Sequence, residues 1–254
     1  MKISVITCTW NSAHYLPESL ASVVGQDHPD IEYIFVDGGS TDGTLQLIQS
    51  LQRPYTLLRG VTGGVSRAMN AGIAAATGDV IAHLHSDDYY LHGGVLSRVA
   101  RCFQESGARW VAGRMHVLEG GQLIEASTRR QDYSYTALAA GRFHFVHPST
   151  FVARAVFAEL GAFEEGLKYS MDWDMWFRIA SLAPPAVLHE ALTVFRVHTG
   201  SLSTSSPGSR LLARQEEMQV RMRYARRAPV QTAVWLCRYW VRMRRLKRAM
   251  QHIG

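Results

Sequence analysis

Lys2–Thr9 reads Ile-Ser-Val-Ile-Thr-Cys-Thr after its lysine, a β-branched, largely apolar run of strand length. A turn at Trp10-Asn11-Ser12 follows. A helix is predicted over about Tyr15–Gly25, where Pro17 is tolerable only in the first turn. Ile31–Val36 repeats the strand pattern and stops at Asp37. Asp37–Thr44 is then a loop feeding a helix to about Leu51, with Ser40 or Thr41 as N-cap. A short strand, Tyr55–Arg59, and an alanine-rich helix, Val65–Ala76, bring the chain to Gly78. From there Gly78-Asp79-Val80-Ile81-Ala82-His83-Leu84-His85-Ser86-Asp87-Asp88 runs through an apolar strand into two adjacent carboxylates. Strand–helix alternation with short links means a parallel sheet with right-handed crossovers. Asp37 and Asp87 are therefore expected at one sheet edge, the edge where open α/β sheets bind ligands.

Beyond Leu91 the pattern is less regular. Val95–Gln104 has helical spacing, and Trp110–Leu118 and Gln122–Ala126 read as strands joined across Glu119-Gly120-Gly121. A polar, arginine-bearing stretch covers Ser127–Gly141. Phe143–Val152 is strand-like, and Ala155–Leu160 is a short helix stopped at Gly161. Asp172–Leu182 is amphipathic, with Trp173, Trp176, Phe177 and Ala180 on one face, and Pro184-Pro185 ends it. Val187–Val197 is a last strand. Thr199–Ser209 is a Ser/Gly-rich connection to helices over about Ser209–Arg226 and Val230–Gln251.

Composition changes this picture in one place. The formal charge is +6, yet residues 210–254 hold 12 Lys or Arg against 2 acids, so the rest of the chain is mildly acidic. The expected organisation is a body over 1–205 and a basic amphipathic helical extension over 206–254. In the second helix Leu236, Trp240, Met243 and Met250 fall at helical spacing, and Arg238, Arg242, Arg244, Arg245, Lys247 and Arg248 fill much of the rest. Such a helix suits an anionic membrane surface, with Trp235 and Trp240 at the interface. Packing on the body, or a contact between copies in an oligomer, are the alternatives. No nucleic-acid partner is expected, because no reader motif accompanies the charge. The three cysteines, Cys8, Cys102 and Cys237, have no metal spacing. With no signal-peptide pattern and no apolar run of spanning length, they indicate a cytoplasmic protein, at most peripheral on the inner face of a membrane.

The candidate chemistry begins with Asp87-Asp88. Two carboxylates with no base beside them repel unless solvated, protonated or bridged by a cation, and Mg²⁺ or Mn²⁺ prefers such oxygen ligands. Capping of the helix expected from about Gly93 is the plainer alternative. His83, His85 and Asp87 alternate along one strand face, and the histidines read as interior residues of a covered sheet. There is no dinucleotide fingerprint, no Walker A loop and no Gly-x-Ser-x-Gly elbow.

The order of motifs is more specific than any one of them. Val5-Ile6-Thr7-Cys8-Thr9-Trp10-Asn11 and Phe35-Val36-Asp37-Gly38-Gly39-Ser40-Thr41-Asp42-Gly43-Thr44 open the set. Ala68-Met69-Asn70-Ala71-Gly72-Ile73, Gly78-Asp79-Val80-Ile81 and Ser86-Asp87-Asp88 follow. Gly161-Ala162-Phe163-Glu164-Glu165 and Asp172-Trp173-Asp174-Met175-Trp176-Phe177-Arg178 complete it. Together, over roughly residues 1–200, they resemble family 2 glycosyltransferases, in the branch that builds bacterial surface polysaccharides.

The resemblance implies a GT-A fold: α/β, a mostly parallel central sheet flanked by helices. It also implies a nucleotide-diphosphate sugar donor (UDP- or GDP-linked), a saccharide or lipid-linked acceptor, and inversion at the anomeric carbon. By that similarity Thr9, Asn11 and Asp37 line the nucleoside pocket, Asn70 lies on the donor side, Asp88 binds the metal, Asp87 binds metal or ribose, and Asp172 is the catalytic base. Arg67 either reaches a phosphate or solvates its helix start. His147 is placed near the acceptor, and His198 near the diphosphate. Asp172 as a plain N-cap, and Asp174 as an i,i+4 partner of Arg178, are the structural alternatives. The chain departs from the family pattern at Cys8, where proline is usual, and at Trp10, where tyrosine is usual. Met171 stands where an acid usually precedes the base, which should make Asp172 slightly more acidic. Two rival functions remain, a nucleotidyltransferase and a non-catalytic sugar-nucleotide sensor.

Overall fold

The computed structural model describes residues 1–127, 133–200 and 206–251, with 207 and 245–251 as backbone. Its first half follows the sequence pattern closely. β1 (Ile3–Thr9), β2 (Ile31–Asp37), β3 (Thr56–Arg59) and β4 (Val80–His83) are joined through α1 (Leu16–Val24), α2 (Thr44–Gln49) and α3 (Val65–Ala75). β1 pairs in parallel with β2 from Ile3↔Ile31 to Thr9↔Asp37, and with β4 from Ile3↔Val80 to Ile6↔His83. A strand with neighbours on both sides and helices on both faces must be apolar throughout, as β1 is. Ile6, Ile34, Val36 and Ile81 enter one core, while Ile3, Val5, Tyr33, Phe35, Val80 and Ala82 enter the other. Gly72 lets α3 approach β1, since a Cβ there would sit 2.4 Å from Ile6 Cγ2.

The second half adds β5 (Tyr89–Tyr90), α4 (Val95–Ser106), β6 (Trp110–Glu119), β7 (Gln122–Ile124), α5 (Tyr135–Ala139), β8 (Thr150–Ala153), α6 (Arg154–Leu160), α7 (Met171–Ala180) and β9 (Ala186–Val197). The strand order is β3-β2-β1-β4-β8-β6-β9-β5, with β7 on β6. The sheet is parallel from β3 to β4 and mixed beyond: β8 runs against β4 and β6, and β5 against β9. Among the described residues before β8 there is only the short α5 and a 3₁₀ turn rather than a long crossover helix, so nothing obliges it to run parallel. Phe143–Val152 is accordingly not one strand. Phe143 and Phe145 are buried, but the chain turns through a 3₁₀ turn at His147–Ser149, and only Thr150–Ala153 pairs. Pro148, with no N–H to donate, breaks the ladder. Of the polar stretch after Ser127, residues 128–132 lie outside the described residues, as do 201–205 of the connection.

α8 (Pro207–Arg223) and α9 (Pro229–Gln251) lie against the body. Arg221, 2% exposed, donates to the carbonyls of Leu138 and Ala139 at 2.7 and 3.2 Å. Its guanidinium carbon lies 4.3 Å from the Trp173 ring centre and 4.6 Å from that of Trp235. Gly141, at φ +62°, leaves the space that Trp235 fills. The buried stripe of α9 is Trp235, Tyr239 and Met243, packed on Leu211, Met218 and Leu236. This corrects the stripe expected from spacing: Trp235 is interior, whereas Trp240 is 57% exposed. The side chains of Arg245, Lys247, Arg248 and Met250 lie outside the described residues.

Candidate active site

Three loops after β1, β2 and β4 are laced together at the carboxyl edge of the sheet. Thr9 and Asp37 end paired strands, and Thr9 Oγ1 donates to Asp37 Oδ1 at 3.0 Å. Asp37 Oδ2 accepts the Gly39 and Ser40 N–H groups, both at 2.9 Å, and Oδ1 also accepts Ser40 Oγ at 2.5 Å. Burial raises the pKa of this carboxyl, and the donors from Ser40, Gly39 and Thr9 overcome it, leaving Asp37 below its ordinary range. Asn11 adopts φ +49°, a left-handed conformation that asparagine tolerates better than most residues. Its Oδ1 accepts the Thr41 N–H at 2.9 Å, tying the first loop to the second. Ser12 joins both neighbours: its N–H donates to Thr44 Oγ1 and its hydroxyl accepts from Ser86, each at 2.8 Å. The helix cap expected at Ser40 or Thr41 is instead Gly43, because both are used in the loop. Trp10 stands 70% exposed above this loop.

Arg67 is exposed in the first turn of α3, with its side chain beside Gly63, and pairs with no described acid. Asn70 has another task. Its Nδ2 donates to the Phe163 carbonyl at 2.9 Å and to Glu165 at 3.1 Å, while Oδ1 accepts the Phe163 N–H at 2.9 Å. It clamps the Gly161–Glu165 turn onto α3, so its amide is committed within the chain.

Asp87 and Asp88 follow the end of β4, and β5 separates them from α4, whose N-cap is Gly94. They therefore do not cap that helix. Asp88 is 2% exposed, and its Oδ1 accepts the Arg196 N–H at 3.1 Å. Burial, then the adjacent Asp87 charge, push its pKa well above the ordinary range. Asp87 Oδ2 lies 3.0 Å from His198 Nε2, and Arg196 Nε donates to the Asp87 carbonyl at 3.2 Å. The turn after β4 thus meets the end of β9, and His198 lies beside Asp87. A buried carboxylate beside a second one fits a divalent cation. No group of three His, Cys, Asp or Glu among the described residues is arranged to hold a metal. The pair matches the Mg²⁺-type pattern, in which one or two carboxylates share the ion with substrate phosphates and water.

His147 spans the distance from this edge to α7. Its ring stacks on His85 at 5.3 Å and lies 5.7 Å from Trp176. Neither of its nitrogens has a hydrogen-bond partner among the described residues, and neither has His83 Nε2. Burial, with the neighbouring imidazoles, pushes His147 well below its ordinary range and His83 down to about 3. His83, 4% exposed, is an interior residue as expected.

Asp172 is the second residue of α7, one position past the Ser170–Met171 junction. The N-cap is Ser170, so the plain capping alternative fails. Asp172 Oδ1 accepts the Trp173 N–H at 2.8 Å. Its pKa is raised to about 7, chiefly by burial and further by Glu217 and Glu216, against the opposing Trp173 hydrogen bond. The small lowering expected from Met171 is outweighed, first by burial. Residue 171 contributes no charge, but α8 brings two acids from elsewhere in the chain. Asp174 is structural as its spacing suggested: it pairs with Arg178 at 2.9 Å and accepts from Tyr224 at 2.8 Å.

Sequence reasoning missed Arg196, Glu216, Glu217 and Arg221. Arg196 and Arg221 sit in plain strand and helix patterns, and only the three-dimensional contacts distinguish them. The one available signal was the pair of acids, Glu216-Glu217, inside an otherwise basic segment.

Residues 4–160 match the pattern of Glycosyl transferase family 2. An uncharacterised glycosyltransferase of Nostoc sp. is 32% identical over 219 residues, covering 78% of this chain and 65% of that protein. The chain thus spans just under two thirds of that relative's length. A glycosyltransferase of Mycobacterium tuberculosis named for PGL/p-HBAD biosynthesis is 31% identical, covering 73% of this chain and 71% of its own. The crystal structure of S. aureus TarS with UDP-GlcNAc superposes with a TM-score of 0.71 at 22% identity, covering 87% of this chain and 70% of that one. The mannosyltransferase PcManGT from Pyrobaculum calidifontis, in complex with GDP-Man and Mn²⁺, gives 0.71 at 18% identity, covering 100% and 76%. Both share the GT-A fold with this chain. The match over residues 4–160, in the order in which the loops of the site occur, makes this chain a member of glycosyl transferase family 2.

Proposed function

We propose that this chain is an inverting glycosyltransferase that moves a sugar from a nucleoside-diphosphate donor to a hydroxyl of a saccharide or lipid-linked acceptor in surface polysaccharide synthesis. The observation that carries the reading is a division of carboxylates. Asp87 and Asp88 follow the sheet edge, and a separate acid, Asp172, is raised to about 7 on α7, with the His85–His147–Trp176 stack between them.

In this reading Thr9, Asn11 and Asp37 shape the nucleoside pocket. Asp37, whose oxygens already accept four hydrogen bonds, fixes the loop that forms the wall. Trp10 offers an exposed ring beside it for a base to stack on. Asp88 and Asp87 would hold Mn²⁺ or Mg²⁺, and Arg67 and His198 would face the diphosphate. The ion, when bound, offsets negative charge growing on the leaving diphosphate. Asp172 takes the acceptor proton as the hydroxyl attacks the anomeric carbon from the face opposite the diphosphate. A pKa near 7 suits that task, because a general base works best when matched to the operating pH. The UDP-GlcNAc and GDP-Man bound by the structural neighbours support a nucleotide-sugar donor, and Mn²⁺ in one supports the ion. The name of the mycobacterial relative supports a cell-surface glycan.

Incubation with UDP- and GDP-sugars, Mn²⁺ and a panel of saccharide acceptors tests this. Release of nucleoside diphosphate with a glycosylated product is expected. Pyrophosphate release would indicate a nucleotidyltransferase, and an intact donor that still raises the melting temperature would indicate a sensor.

A second element concerns location. No helix among the described residues is long and apolar enough to cross a membrane. The outward face of α9 carries Val230, Val234, Trp240 and Val241 exposed, with Arg238, Arg242 and Arg244 beside them. This face supports reversible docking on an anionic membrane, where a lipid-linked acceptor resides.

A further inference from the structure

The start of α7 lacks its usual fastening, because the side chain of its N-cap Ser170 accepts no hydrogen bond from the helix. A residue of α8 holds it instead. Glu216 Oε1 accepts the Lys168 N–H at 2.9 Å, and Oε2 accepts those of Tyr169 and Ser170 at 2.5 and 2.6 Å. One carboxylate thus gathers three successive N–H groups at the amino end of α7, where the helix dipole favours negative charge. Ser170 Oγ returns a bond to the Ala213 carbonyl at 3.3 Å. The strut is itself braced. Glu217, the next residue, pairs with Arg221 at 3.0 Å and Arg214 at 2.7 Å, and Arg221 is fastened to the carbonyls of α5. α8 therefore cannot slide along α7 without breaking the bonds of Arg221 to the α5 carbonyls.

We propose that Glu216 is a positioning residue for Asp172: by fixing the backbone of Lys168–Ser170 from α8, it sets where the base stands at the head of α7. This rests on the reading of Asp172 as the base. The charges acting on Asp172 are Glu217 and Glu216 on α8, and Glu217 is itself paired with Arg214 and Arg221. Asp174, paired with Arg178, lies on α7 itself, and His144 has its ring 6.0 Å from Trp173. Glu216 and Glu217 act on Asp172 in the same sense, both disfavouring its charged form.

The test compares Glu216→Gln with Glu216→Asp. Glutamine has one acceptor oxygen in place of two and no charge, so at least one of the three N–H groups loses its partner. Glu216→Gln is expected to lower kcat about ten-fold with donor KM changed less than about two-fold, the signature of a displaced catalytic group with intact substrate binding. The acid limb of its kcat–pH profile should move to lower pH, because a like charge near Asp172 is gone. Glu216→Asp keeps the charge on a shorter arm, so the limb should return while kcat is only partly restored. A purely structural role predicts another pattern: loss of melting temperature, kcat falling with the folded fraction, and an unmoved limb in both variants. That pattern overturns the proposal. If the glutamine variant does not fold, the aspartate variant decides the matter by its kcat–KM split.

Titration of carboxyl-¹³C aspartate, with the Asp172 signal identified by its loss in Asp172→Asn, separates the two readings without turnover. A downward shift in Glu216→Gln alongside an active Asp172→Asn would keep the strut and remove the base. An inactive Asp172→Asn with Glu216→Gln normal in kcat, limb and titration would leave the base and remove the strut.

Discussion

Asp37, at the end of β2, and Asp172, at the head of α7, are both enclosed carboxylates, yet one is held below its ordinary range and the other raised to about 7. Burial acts on both in the same direction. The difference lies in donors. Asp37 receives four hydrogen bonds, three of them from residues within three positions of it and one from the paired strand. Asp172 receives one, from the next residue, and stands near two acids more than forty residues ahead. The Asp37 side, proposed to bind the donor, is thus a local construction that fixes charge, and the Asp172 side, proposed to hold the base, a long-range construction that withholds solvation. A wall needs a settled ion. A base needs one that can take up a proton.

The largest expected effect falls on the acidic pair that belongs to neither pattern. Asp88 has one donor, the Arg196 N–H, and a like charge beside it. Asp88→Ala should lower transfer by more than about 10³-fold and abolish the Mn²⁺-dependent part of nucleoside diphosphate binding, measured by calorimetry with and without the ion. Retained Mn²⁺-dependent turnover would place the ion elsewhere.

Asp172→Asn sharpens the comparison, since it keeps the shape and removes the charge. Turnover should fall roughly 10²–10⁴-fold while donor binding survives. Normal turnover would falsify the assignment of the base. In the native enzyme kcat should rise with pH through about 7, as Asp172 loses its proton. Stability should run the other way. A carboxyl with a raised folded value binds more protons folded than unfolded. Its contribution therefore declines as pH climbs from the ordinary carboxyl range near 4 to about 7. Asp172→Asn should melt above the native protein at pH 8, and the advantage should vanish at pH 4.

The same contrast explains what could be read in advance. The parallel half, the acidic pair and the loops after β1 and β2 were legible, because each depends on residues adjacent in sequence or on strand periodicity. Asn70 shows the limit: its position in a motif was plain, but its bonds to Phe163 and Glu165 depend on how the turn at 161–165 folds back. Asp172 stood out in its motif but its raised pKa did not, because its burial and its nearness to Glu217 and Glu216 arise only through tertiary packing. The stripe of α9 was misplaced because Arg221 recruits Trp235 inward through a cation–π contact that hydropathy does not register.

Arg221 is the point where the long-range side is most exposed to a single change. It is 2% exposed and joins Glu217, two carbonyls of α5, Trp173 and Trp235. Arg221→Ala should cost about 3–5 kcal/mol, because it leaves Glu217 buried without its principal partner. Chemical denaturation measures the loss. An Asp37→Asn change should cost less, about 1–2 kcal/mol, since most of its donors have water nearby. Equal losses would erase the distinction between the two constructions.

The smallest effect concerns the outward face of α9, where the proposed docking would add affinity without touching the chemistry. Removing α9 outright is the wrong test, because Trp235 packs on Arg221 and at Gly141, so truncation would disturb the base side as well. Charge reversal at Arg238, Arg242 and Arg244 leaves that packing alone, since all three are exposed. Each basic residue near an anionic surface contributes on the order of 1 kcal/mol. The triple glutamate variant should therefore lose co-sedimentation with anionic vesicles while keeping its melting temperature and its turnover on a soluble acceptor. Native binding should weaken with added salt as screening shortens the reach of each charge. A Trp240→Ala change should weaken it less, through the interface contact of one ring. Equal binding of the native protein to neutral and anionic vesicles would assign the attachment to the apolar stripe alone. No binding to either would assign that face to a protein contact, and the base side would then owe nothing to the membrane.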